Sequence, residues 1–329
     1  MSSIKFAALT ALAGIAFGAP SNITTRSIDL KPVYTNGTIS VEHLSVAGNL
    51  DGFKMSTPAA RGSADFWYFD VCSSASNQTL NIVFFNSGEF SQYPQPLAVQ
   101  VSGLYENGTS FYFEALADSG GSALDEPNVE YIINLDSPQM DIYGTIVFKS
   151  IAPAHYPYEL NRAVGADQNL LPGLYWANAV PDANTAVDLQ VGDTTVSFVD
   201  GVGYHDKNWG NKSIIDGSLL GRLDGEVLLV SCDSDALVLL QKGEEAAWPP
   251  TTGLLETEGI SVNYTLPDGR VFAVDVKTEL IVRDESGAYQ RANGLLRGGF
   301  VGEETGTIEG RAHYEEFIFG IVNDYTPAV

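Results

Sequence analysis

Positive charge is scarce in this chain. Lys and Arg number 17 against 41 Asp and Glu over 329 residues, a formal net charge of −24. A surface of that sign repels phosphate backbones and anionic lipid, which argues against nucleic acid and membrane-surface partners. The plain reading of the acidity is that it keeps a secreted protein soluble. Cysteine is almost missing: Cys72 and Cys232 allow one disulfide at most, and each equally suits a buried thiol. The four histidines, His43, His155, His205 and His313, are scattered without zinc-ligand spacing, so no metal site is expected. A Gly-x-Ser-x-Gly elbow, a Gly-rich phosphate loop and a dinucleotide fingerprint are all missing, so nucleotide-dependent redox chemistry and phosphoryl transfer are not expected and no cofactor is. Apolar runs never reach the ~20 residues of a membrane-spanning helix.

What is present at the N-terminus is a short apolar run, Phe6 to Phe17, after the single charge of Lys5, ending in the small residues of Ala16-Phe17-Gly18. These are the parts of a signal peptide over residues 1–18, with the mature chain starting at Ala19. Asn22, Asn36, Asn77, Asn107, Asn211 and Asn263 each open an Asn-x-Ser/Thr triplet, so the expected product is secreted or lumenal and carries N-glycans.

The rest reads as strands. Asn36-Gly37 and Asn107-Gly108 each sit between β-prone runs and predict hairpins. Asp65 to Cys72, Thr79 to Phe85, Tyr131 to Leu135 and Met140 to Lys149 have β composition, and no segment has a convincing helical period. Prolines at 153 and 157 and the aperiodic stretch 161–173 place a domain boundary there, giving an N-terminal β-domain over 19–160 and a C-terminal one over 161–329.

The densest chemistry lies in Gly201-Val202-Gly203-Tyr204-His205-Asp206-Lys207-Asn208-Trp209-Gly210. The preceding Thr195 to Val199 alternates with its even residues apolar, so a continued period of two turns Tyr204, Asp206 and Asn208 toward the core, with His205, Lys207 and Trp209 on the other face. A bulge at the glycines reverses that parity. Either way a carboxylate and a phenol share one face. A carboxylate aimed into an apolar interior has its charged form disfavoured and can act as a general acid; alternatively Asp206 accepts amide bonds in a turn. His205 reads as a solvated loop residue, and Lys207 as either solvated or able to polarise a carbonyl. Trp67, Trp176 and Trp209 offer faces that could stack on a flat ligand, though most tryptophans in β-proteins are core.

This decapeptide resembles the G-Y-x-D-x-N-W-G signature of the hydroxyneurosporene synthase-like family, which takes in carotenoid 1,2-hydratases, kievitone hydratase-type enzymes and fungal Diels-Alderases. Asp65-Phe66-Trp67-Tyr68-Phe69-Asp70 and Leu174-Tyr175-Trp176-Ala177 resemble further landmarks of the same family. The resemblance implies an all-β protein of two packed lipocalin-like β-domains, barrel or sandwich, holding a hydrophobic polyketide- or terpenoid-type small molecule. It does not imply one reaction: the first reading is a cofactor-free pericyclase of secondary metabolism, an isomerase-type Diels-Alderase or hetero-Diels-Alderase. The alternatives are a lyase-type hydratase of a prenyl alkene and a lipocalin-like carrier. In the hydratases that this chain resembles, the aspartate of the motif is the proposed proton donor and the tyrosine two residues earlier assists, positions that Asp206 and Tyr204 match; Lys207, a scarce positive group, is a further catalytic candidate, and Trp67, Trp176, Asn208 and Trp209 are candidates for binding substrate.

Overall fold

A computed structural model of the chain describes residues 30–46, 49–88, 93–119, 130–154, 156–157, 164–171, 173–211, 227–232, 235–242, 258–266, 268–285, 289–303 and 307–317. The expected signal peptide at 1–18 and the sequon at Asn22 lie outside these residues. Every regular element among them is a strand. The first nine are β1 (Ala64–Ser73), β2 (Thr79–Ser87), β3 (Leu97–Leu104), β4 (Ser110–Leu116), β5 (Glu130–Ser137), β6 (Ile142–Ser150), β7 (Asn169–Leu171), β8 (Leu174–Val191) and β9 (Thr194–Gly210). They form one antiparallel sheet in the order β4-β3-β2-β1-β9-β8-β6-β5, with β7 on the end of β8. The remaining six are β10 (Val227–Cys232), β11 (Asp235–Lys242), β12 (Gly259–Thr265), β13 (Val271–Glu285), β14 (Tyr289–Phe300) and β15 (Ile308–Phe317), paired in sequence order in a second sheet.

The chain divides into two units, Met1–Gly217 and Ser218–Val329. The break therefore differs from the expected one near residue 160. β8 and β9 are not the start of a second domain: β9 pairs with β1 from Ala64↔Gly210 to Ser73↔Gly201, and β8 pairs with β6, so the decapeptide lies in the middle of the first sheet. The prolines after β6 mark a loop inside one sheet.

The first sheet curls. The Phe69 ring of β1 lies 5.6 Å from that of Tyr131 on β5, although four strand steps separate them, which in a flat sheet is about 19 Å. The concave side is filled by one apolar cluster that includes Phe69, Ile82, Val99, Phe148, Leu189 and Trp209. Into it descends an irregular segment, with Leu50, Asp51, Phe53, Lys54 and Met55 all buried. Such a segment has no ladder for its polar backbone groups, and core side chains serve instead. Trp67 Nε1 donates to the Asp51 carbonyl (2.6 Å), and the Lys54 N–H donates to Asp65 (3.0 Å).

The Asn107-Gly108 hairpin forms as expected, joining β3 and β4 with Gly108 at φ 80°. The one expected at Asn36-Gly37 does not. Thr35 instead bridges Ala60, and Val41 bridges Met55, so each arm pairs with the segment that follows rather than with the other. β14 was not legible as a strand because glycines 294, 298 and 299 interrupt its pattern. A Cβ at 298 would stand 2.1 Å from the Ala273 carbonyl oxygen, so the neighbouring strand approaches where no side chain fits.

Candidate functional site

The side on which the decapeptide presents its groups is set by a bulge. Val196 and Phe198 are buried in the core cluster, then Val199 and Asp200 both face solvent, and Gly201 and Gly203 return to the core. The register slips at that point, from Val187↔Phe198 to Thr185↔Gly201. One extra residue reverses every side chain after it. His205, Lys207 and Trp209 are consequently the core residues, each 0% exposed, and Tyr204, Asp206 and Asn208 stand on the convex face. Of the two parities the sequence leaves open, the structure takes the one reversed by a bulge, so Asp206 does not point into the apolar interior. The burial of His205 corrects its reading as a solvated loop residue. The inner glycines fit the same account: a Cβ at Gly203 would lie 2.2 Å from Thr185 Oγ1 and 2.7 Å from the Phe148 ring.

On the convex face three donors converge on Asp206. Tyr204 Oη and Trp176 Nε1 both donate to Oδ2 at 2.8 Å, and Asn208 Nδ2 donates to Oδ1 at 2.9 Å. Together they engage both oxygens of the carboxylate. Side chains, and not the backbone amides of a turn, supply these three bonds. Asp206 is 9% exposed, while Tyr204, Trp176 and Asn208 are half-buried, so the cluster lies at the surface of this unit and not under it. Antiparallel register sets Tyr68 of β1 and Asn178 of β8 on either side of Asp206, and the Tyr68 ring meets that of Tyr204 edge-on at 6.4 Å.

On the concave face the same strand carries a buried ionic network. Lys207 donates to Asp65, with both side chains 0% exposed, and its ammonium lies 3.2 Å from the centre of the Trp67 ring. His205 Nε2 is 3.0 Å from Asp51 Oδ2, Tyr131 Oη donates to the same oxygen at 2.6 Å, and His205 Nδ1 faces the Tyr68 carbonyl at 2.9 Å. Burial pulls Lys207 down to about 8 against the opposing pull of Asp65. Burial, followed by the Lys207 charge, brings Lys54 down to about 8 as well. Burial pushes the Asp51 carboxyl up, but the bonds from His205 and Tyr131 and the charges of His205 and Lys207 outweigh it and hold it below the ordinary carboxylate range.

Of the seven residues singled out from the sequence, the structure brings together Tyr204, Asp206, Asn208 and Trp176. It sets Lys207, Trp67 and Trp209 on the opposite face, where they are core. Trp209 donates to the Glu42 carbonyl (2.7 Å) and stacks on Tyr175, and Trp67 packs edge-on against Phe53. Two neighbours were missed. Tyr68 shares the parity of Phe66 in its fragment, and Asn178 follows Trp176 by two, so the period of two alone assigns each to the site's face.

A family profile described as Diels-Alderase-like matches residues 126–217, the span from β5 to just past β9. The chain is 30% identical over 338 residues to the quinolone epoxide rearrangement protein asqO of Emericella nidulans, covering 87% of this chain and 91% of that protein. It is 27% identical over 364 residues to the quinolone epoxide rearrangement protein penF of Penicillium thymicola, covering 93% and 99%. Among solved structures, CghA with Sch210972 superposes with a TM-score of 0.63 over 89% of this chain and 98% of that one at 14% identity, a likeness of fold. The nearly full-length match to asqO and the profile match over the strands that carry Tyr204 and Asp206 show that the chain belongs to the Diels-Alderase-like family, alongside the fungal quinolone epoxide rearrangement proteins.

Proposed function

We propose that this protein is an isomerase-type enzyme of secondary metabolism that rearranges a quinolone epoxide, with the chemistry on the convex face at Tyr204 and Asp206. The observation that supports this is the 2.8 Å hydrogen bond from the Tyr204 hydroxyl to a carboxylate that two further donors hold in place. An epoxide rearrangement gains a proton at one atom and loses one at another, so it needs an acid and a base that restore each other. The Tyr204 hydroxyl protonates the epoxide oxygen as a C–O bond breaks and its electron pair goes to that oxygen. After the skeleton shifts, Asp206 takes the proton that the substrate sheds. Transfer from Asp206 back to the Tyr204 phenolate along their shared bond restores both groups, and no atom is gained or lost. Positioned proton transfer of this kind contributes roughly 10²–10⁴-fold.

A Diels-Alder cycloaddition, the reaction for which the family profile is described, is the second reading. The half-buried Phe66, Tyr68 and Trp176 on the same face favour it, since aromatic walls orient a diene and dienophile and N–H and O–H donors polarise a carbonyl. Incubating the full chain with a quinolone epoxide in H₂¹⁸O separates the possibilities. The rearrangement reading expects a product of unchanged mass without ¹⁸O. A product heavier by one water means hydration, and recovery of unchanged epoxide means a carrier or a different substrate; either result overturns this reading.

The reaction is proposed to take place in the secretory lumen or outside the cell, on a glycosylated chain. Asn36, Asn107 and Asn211 are exposed, as glycan attachment requires, whereas Asn263 lies within β12. Protein secreted from a fungal host is expected to lose mass on glycosidase treatment and to start at Ala19. An unchanged mass with residues 1–18 still present contradicts this.

A further inference from the structure

We propose that Asp70 is a further catalytic residue of the site, whose carboxylate stabilises the positive charge that builds on the substrate carbon as the epoxide opens; this rests on the quinolone epoxide reading above. β1 and β9 pair with Asp70 directly opposite Tyr204. In an antiparallel ladder such partners hold their side chains on one face with Cβ atoms about 5 Å apart. Tyr68, two residues before Asp70, stands opposite Asp206, so the two carboxylates are diagonal neighbours about 7 Å apart and the Tyr204 phenol is next to both. Phe69 and Val71 on either side of Asp70 belong to the core cluster, which puts Asp70 on the convex face. It is half-buried there, and its exposed part is open to a ligand that lies on the sheet.

The strands give this face one sign of charge. β1, β2 and β8 contain no Lys, Arg or His, and His205 and Lys207 of β9 are buried on the concave side. These four strands therefore bring carboxylates and aromatic rings to the convex face and no positive side chain. Phe66, Tyr68 and Trp176 are half-buried there, and the face of an aromatic ring attracts a cation as a carboxylate does. A ligand that becomes positive during its reaction is drawn to such a surface, and one that becomes negative is repelled.

An acid alone does not meet the needs of an opening epoxide. The oxygen takes the Tyr204 proton and keeps the electron pair of the broken C–O bond. The carbon is left short of that pair until a neighbouring group migrates to it with its own bonding electrons. A fixed negative charge near that carbon attracts it more strongly in the transition state than in the neutral ground state, so the barrier falls. Asp70 forms no bond and takes no proton in this step; the proton that the product sheds goes to Asp206.

The test titrates the full-length protein with 1-methylquinolinium, a flat cation, and with 2-methylquinoline, a neutral bicycle of the same size at about pH 8. Salt of about 0.15 M screens the distant charge of the chain. Wild type is expected to bind the cation more tightly by roughly 10-fold, and Asp70→Asn to lose that preference with its affinity for the neutral ligand unchanged. On a quinolone epoxide, the single-turnover rate of Asp70→Asn is expected to fall roughly 10- to 100-fold at an unchanged thermal midpoint. Asp70→Glu, which keeps the charge, is expected to recover much of that rate. A wild type without cation preference, or a preference that persists in Asp70→Asn, overturns the proposal and leaves the epoxide reading standing. A preference that depends on Asp70, in a protein that returns the quinolone epoxide unchanged, keeps Asp70 as the group that stabilises positive charge on the ligand and overturns the epoxide reading. A rate of Asp70→Asn within a few-fold of wild type, or a lowered midpoint with both ligands weakened alike, overturns the catalytic role.

Discussion

At the scale of the residue, the decapeptide does two jobs by alternation. Its even residues build a hydrogen-bonded carboxylate at the surface, and its odd residues place a lysine and a histidine in the core, each against a carboxylate. A buried pair tolerates the loss of one member badly, because the other remains charged without water. Lys207→Met is therefore expected to lower unfolding stability by about 3–5 kcal/mol, while Lys207→Met with Asp65→Leu recovers much of it. Chemical denaturation of the single and double variants checks this. A single variant as stable as wild type would remove the ion pair from the account. The grouping of Tyr204 with Asp206 was legible, because residues two apart on a strand share a face. Sidedness was left open: the alternation of Thr195 to Val199 favours one parity and a bulge at the glycines the other, and the extra residue at Val199-Asp200 selects the second.

At the scale of the element, the strands rich in apolar and β-prone residues, such as β1 to β4, were readable close to their ends. Those that pair by close approach were not. β14 is the example, since its glycines look like loop and are places where the neighbouring strand leaves no room for a Cβ. The reverse error occurred at Asn36-Gly37, where good turn residues lie between arms that pair elsewhere.

β14 and β15 also hold a titrating group that gives the second unit an acid limit. His313 Nδ1 donates to Asn293 Oδ1 at 2.5 Å, and burial, then the Arg291 charge, pulls the imidazole down to about 3, with Glu315 opposing. The unfolded chain takes up a proton near the ordinary histidine value of 6.5 and the folded chain does not until about pH 3, so stability falls as pH drops through that window. His313→Gln is expected to flatten the fall of the denaturation midpoint between pH 7 and pH 4. An unchanged slope would mean that His313 protonates freely in the folded state.

At the scale of the whole molecule, an all-β chain of two units was legible, and the placement of the break was not. Proline and loss of periodicity signal a loop, and a loop inside a sheet looks the same in sequence as one between domains. Only the pairing of β9 with β1, more than a hundred residues apart, puts the decapeptide in the first unit. The likeness to asqO runs over nearly the full length of both chains, whereas CghA shares the fold.

The central claim is that Tyr204 and Asp206 act as one proton-transferring pair. It is tested most directly by the single-turnover rate of Tyr204→Phe on a quinolone epoxide at saturating enzyme, with folding confirmed by circular dichroism. The account predicts a loss of roughly 10²–10⁴-fold in the chemical step with binding little changed, because the phenyl ring keeps its shape and loses only the proton. A rate within a few-fold of wild type, with the same product, would contradict it.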